Sequence, residues 1–115
     1  MRIRSDIWVS AYFRRRLAEG ASAVLRRRGA AEAGAIFVKI DRLDGRAALF
    51  GPAPQSLAAE ATPGIDRVFV RMHEAEWIDP VEADRRLERE ISFDPDVWIV
   101  EVEDRDGEAQ LDMAE

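Results

Sequence analysis

The 115-residue sequence predicts an α+β fold, with two helices packed on one face of a mainly antiparallel five- or six-stranded sheet. Three stretches carry that expectation. Residues 34–51, GAIFVKIDRLDGRAALFG, alternate Ile36, Val38 and Ile40 with Phe37, Lys39 and Asp41, then turn at Asp44-Gly45 and return as Arg46–Phe50. Asp79-Pro80-Val81-Glu82 has the form of a helix start, with a capping aspartate, a proline in the first turn and a glutamate placed to close a capping box. Val97–Glu103, VWIVEVE, is a strand with Trp98, Val100 and Val102 on one side and Val97 and Ile99 on the other. A strand apolar on both sides belongs in the middle of a sheet.

The remaining elements follow in order. Ser5 and Asp6 can cap a helix over Ile7–Glu19, with Val9, Phe13 and Leu17 sharing a face, Trp8 and Tyr12 flanking it, and Gly20 as its stop. Ser22–Arg28 reads as a first strand, so that three strands would form an antiparallel meander through the central hairpin. Residues 51–66 hold three prolines and two glycines and read as irregular, with one helical turn at Ser56–Glu60. Arg67–His73 is a fourth strand by its alternation. In the second helix Ala83, Leu87 and Ile91 make the apolar stripe, and Phe93-Asp94-Pro95-Asp96 ends it. Asp106-Gly107 would turn into a short last strand at Glu108–Asp112, followed by a frayed tail.

Length and composition fit one domain over residues 1–115. Cysteine is absent, which excludes disulfides, thiolate zinc sites and cysteine nucleophiles and fits a cytoplasmic protein. The sequence has no signal-peptide pattern and no apolar run of membrane-spanning length, so no membrane association is expected. The net charge of −6 is unevenly spread. Residues 1–28 hold eight arginines against Asp6 and Glu19, while the rest of the chain holds nine basic and 21 acidic residues.

Chemistry is sparse. His73 is the only histidine and, with Glu74 and Glu76 nearby, is the one candidate general base or ligand; a His at a strand end is more often a hydrogen-bonded structural residue. Glu103–Glu108 is rich in oxygen donors, but its glycine comes too early for a calcium loop, and a solvated turn is the better account. No nucleophile elbow and no phosphate-binding glycine loop is present, and no cofactor or metal is expected. Arg14, Arg15, Arg16, Arg26, Arg27 and Arg28 would make a phosphate-binding stripe if the first helix and first strand lie side by side. The acidic pI of about 4.9 and the lack of a nucleic-acid-binding motif oppose that. Large aromatics and arginines are also favoured interface anchors, and Trp77, set among acids, is the aromatic expected to be exposed. The expectation is therefore a non-enzymatic protein-binding or adaptor module, with an unknown protein partner or self-association as a homodimer. Nucleic-acid binding through the six arginines and a small enzyme using His73 with acidic partners are the alternatives.

The segments RSDIWVSAYFRRR, VLRRRGAAEAGAIFVKIDRLDG, LFGPAPQ and FDPDVWIVEVEDRDG together resemble an alphaproteobacterial family known as a domain of unknown function, number 1491. The resemblance covers essentially the whole chain and implies a bacterial protein. It brings no activity, ligand or catalytic residue with it.

Overall fold

A computed structural model describes residues 3–54 and 67–114. The elements are α1 (Ser5–Ala18), β1 (Ser22–Arg27), β2 (Ile36–Asp41), β3 (Ala47–Pro52), β4 (Phe69–Arg71), α2 (Pro80–Phe93) and β5 (Trp98–Glu103). They form an α+β fold with one five-stranded sheet in the order β1-β5-β2-β3-β4. All neighbouring strands are antiparallel except β2 and β5, which run parallel from Ile36 beside Trp98 to Asp41 beside Glu103. The helical turn expected at Ser56–Glu60 lies outside the described residues.

The local signals translate directly. Gly45 takes the positive φ of 86° that the hairpin needs, and Asp44 accepts hydrogen bonds from the Arg46 backbone and guanidinium. Asp79 caps α2 by accepting from the Val81 amide at 2.8 Å, with Pro80 as the first helical residue. Glu82 does not close the expected capping box; its carboxylate meets Arg86 at 3.1 Å, one turn on.

The strands β2, β3 and β5 are apolar on both sides, and this decides where the helices go. Ile36, Val38, Ile40, Ala48, Phe50, Trp98, Val100 and Val102 form one face, and Val9 and Tyr12 of α1 pack on it. Phe37, Leu49, Val97 and Ile99 form the other, where Leu87 of α2 packs with Ile91 beside it. The two helices therefore cover opposite faces, in place of the single face expected. Each helix offers one apolar stripe, which is enough for one side of a sheet that is apolar on both.

Three further expectations are corrected. The meander does not form, because β5 inserts between β1 and β2, and among the described residues β1 pairs with β5 alone. The buried face of α1 is Ser5, Val9, Tyr12 and Arg16, and Leu17 is exposed. That face turns inward because its polar members find partners: Ser5 Oγ donates to Gly34 O at 2.6 Å, Tyr12 Oη donates to Ala109 O at 2.7 Å, and Arg16 meets Asp104. Burial pushes the Tyr12 phenol well above its usual range, so the hydroxyl keeps its proton. Finally, 108–112 is not a strand. The segment continues to β4, where the Phe69 amide donates to Asp112 O and the Ala114 amide to Phe69 O, and this closes the β4 edge at Phe69.

Candidate functional site

A surface groove lies where α1 borders the β1 edge of the sheet. Helix α1 packs beside β1, and the groove, of about 490 Å³, opens between them. Val9, Phe13, Leu25 and Trp98 make its floor, and Asp6, Arg14 and Arg28 stand at its margin. Arg28 lies over the Trp98 ring at 5.4 Å, and Trp98 is fixed from below by donating Nε1–H to Ala30 O at 2.8 Å. The Asp6 carboxylate is occupied by Arg4 at 3.2 Å, and that hydrogen bond first of all holds it below the usual carboxylate range. Arg14 and Arg28 have no carboxylate partner among the described residues. The groove thus joins an apolar floor to two unneutralised cations.

The backbone beside the groove is also unusual. Among the described residues, β1 hydrogen-bonds to β5 on one side and to no strand on the other. Its inner-facing Ala23 and Leu25 are partly buried, while Val24 is half exposed.

The structure disperses the six arginines expected to form a stripe. Consecutive residues on a helix point about 100° apart and on a strand alternate in face. Arg14 borders the groove; Arg15 donates to Gln110 O at 2.6 Å; Arg16 is buried, with Nη2 at 2.5 Å from Asp104 and Nε at 3.6 Å from Glu19. A bulge between Leu25 and Arg27 sends Arg26 and Arg27 to the cleft beside α2. There Arg26 pairs with Glu101 and Asp84, while Arg27 donates to Pro95 O at 2.8 Å. Of the six, Arg14 and Arg28 line one groove and Arg26 and Arg27 the cleft on the other face.

His73 has both ring nitrogens engaged by backbone. Nε2 accepts from the Leu49 amide at 3.0 Å, and Nδ1–H faces Ala75 O at 2.6 Å. Burial, aided by Arg71 and Arg86, outweighs the Ala75 bond and lowers its pKa, which favours this neutral form. The imidazole therefore extends the β3 ladder past the end of β4 and has no nitrogen left for a substrate or metal. Among the described residues no group of three or more His, Asp or Glu is placed to hold a metal ion. Trp77 is half buried: Arg42 lies over its ring at 4.8 Å, its Nε1 donates to Glu76, and Gly107 packs against its edge.

One cluster was not legible as such in the sequence. Lys39, the only lysine, is buried on β2 facing α2, with Nζ 2.9 Å from Asp84 and 3.6 Å from Glu101, its neighbour across the β2–β5 register. With Arg26 the four charges cancel, so this network ties α2 to the sheet and leaves no unbalanced group for chemistry. The signal that could have found it is a lysine and a glutamate at inward positions of otherwise apolar strands.

A sequence profile described as "Protein of unknown function (DUF1491)" matches residues 3–112. The chain belongs to the DUF1491 family. It is similar to the crystal structure of a DUF1491 family protein from Caulobacter crescentus CB15, with a TM-score of 0.78 and 35% identity, each chain covered in full. The NMR structure of a DUF1491 family protein from the same organism gives 0.77 and 36%, covering 100% of this chain and 99% of that one. The solution structure of protein Atu0922 from A. tumefaciens gives 0.72 and 42%, covering 90% and 86%. No curated protein matches the sequence. The DUF1491 match takes in α1, β1 and every residue lining the groove, so the groove belongs to the part of the chain that the family profile covers. Among the described residues, no helix is long and apolar enough to cross a membrane.

Proposed function

We propose that this DUF1491 chain is a non-enzymatic protein-binding module that receives an extended segment at the β1 edge. The observation that carries the reading is the difference between the two edges of the sheet. The β4 edge is occupied at Phe69 by the chain's own residues 112–114, whereas the β1 edge is bare among the described residues and runs along an apolar groove. An open edge supplies unpaired backbone groups to an added strand, and adjoining pockets select its side chains. The backbone engagement of both His73 nitrogens weighs against the enzymatic alternative, and the dispersal of the arginines weighs against the nucleic-acid one.

The test is affinity capture from nuclease-treated native lysate with three versions of the chain. Val24→Lys sets a charge on the edge strand, which opposes strand pairing, and Phe13→Ala empties part of the groove floor. Phe93→Ser alters an exposed aromatic at the far end of α2 and serves as the control. The reading expects a protein, or a second copy of the chain, to be retained by the wild type and Phe93→Ser and lost from the double variant Phe13→Ala/Val24→Lys. Equal retention by all versions, or recovery of nucleic acid alone, would overturn it.

A further inference from the structure

The charge of the groove narrows the kind of segment it takes. Several arginines elsewhere in the described chain have acidic partners, Arg4 with Asp6, Arg16 with Asp104, Arg26 with Glu101, Arg46 with Asp44 and Arg86 with Glu82, while Arg15, Arg27 and Arg42 donate to backbone carbonyls. Although acids outnumber bases, none lies within ion-pair distance of Arg14 or Arg28 among the described residues. Both stand on the margin of one groove, on the α1 side of the sheet. A strand added to β1 would place alternate side chains on that side, where they meet Leu25 and Phe13 at one position and the two guanidinium groups at the next.

From this charge pattern we infer that the partner of the groove is an acidic, extended peptide, with an apolar side chain seated on Phe13, Leu25 and Trp98 and a carboxylate two residues away facing Arg14 and Arg28. The inference rests on the strand-addition reading above and adds the chemistry of the occupant. Asp6 does not reverse the sign of the site, because Arg4 neutralises it. The bulge at Arg26 lets Arg28 reach the groove, since it moves Arg26 and Arg27 to the other face.

The probe is a capped octapeptide, Ser-Leu-Ser-Glu-Ser-Leu-Ser-Glu, titrated into the 15N-labelled chain and compared with the version carrying Lys in place of Glu. The expected result is a set of moving amides confined to residues 7–14 and 22–28, with the Lys peptide binding about tenfold more weakly, as two partly exposed charge pairs allow. The preference for Glu should shrink between about 50 mM and 500 mM salt. The double variant Arg14→Glu/Arg28→Glu, altered only at exposed positions, should prefer the Lys peptide instead. If both peptides move the same amides with equal affinity, the groove is a strand-binding site and the acidic partner is wrong. If neither peptide moves these amides, or the shifts fall elsewhere, the inference fails together with the strand-addition reading.

Discussion

Replacing Asp104 by asparagine should destabilise the fold more than removing the arginine it pairs with. The Arg16 side chain is 2% exposed and Asp104 is 17% exposed. Nε and Nη1 of Arg16 make no hydrogen bond, so the guanidinium depends on Asp104 at 2.5 Å and on Glu19 at 3.6 Å. In Asp104→Asn the Asx turn to the Asp106 amide can persist, but a full positive charge stays buried beside a neutral amide. Breaking a buried pair in this way costs about 3 kcal/mol. In Arg16→Met the carboxylates left behind, Asp104 and the half-exposed Glu19, can take up water, and the cost is about 1 kcal/mol. The double variant should resemble Arg16→Met, giving a coupling of about 3 kcal/mol. Urea unfolding followed by tryptophan fluorescence reads these differences directly. With a slope of about 1.5 kcal/mol/M, Asp104→Asn should shift the midpoint down by about 2 M. Additive single costs, or an Arg16→Met loss equal to that of Asp104→Asn, would refute the reasoning and leave Arg16 available for another role.

Two more expectations follow from the same structure. The folded-state pKa of His73 lies below the unfolded value of about 6.5, so the unfolded chain binds the proton first; its contribution is complete above about pH 6.5 and is lost as pH falls through the lowered folded pKa. Urea midpoints measured from pH 8 downward should show this slope, and His73→Gln should flatten it. Gly107→Ala should cost about 1 kcal/mol or more in the same assay, because residue 107 has φ of 75° and a methyl group there runs into the Trp77 ring.

What the sequence made legible was local. The Asp44-Gly45 turn, the Asp79-Pro80 helix start and the two-sided apolar pattern of β5 each depend on residues within a few positions of one another, and each stands in the structure. The α1 face was misread because Tyr12 and Arg16 are accepted inside by Ala109 and Asp104, 97 and 88 residues away, and no periodicity within the helix records them. The partner of β1 was misread for the same reason, as β5 lies more than 70 residues further on. For the arginines, the sequence showed two runs of three, and a helix, a strand and one bulge then sent them in different directions. The pairing of Arg14 with Arg28 on one groove was hidden inside runs that otherwise come apart.

The position of β5 also sets an order of assembly during synthesis. Among the described residues it is the last of the seven elements to be made, the only strand that β1 pairs with and the only strand neighbour of β2 besides β3. Until Trp98–Glu103 has left the ribosome, β1 has no strand partner among the described residues, and β2, apolar on both sides, presents a bare edge to whatever is nearby. Closing the sheet then requires contacts across most of the chain at once, the kind of pairing that makes folding slow. A chain that stops before Trp98 therefore lacks the strand that joins β1 to β2 and is no smaller version of this fold.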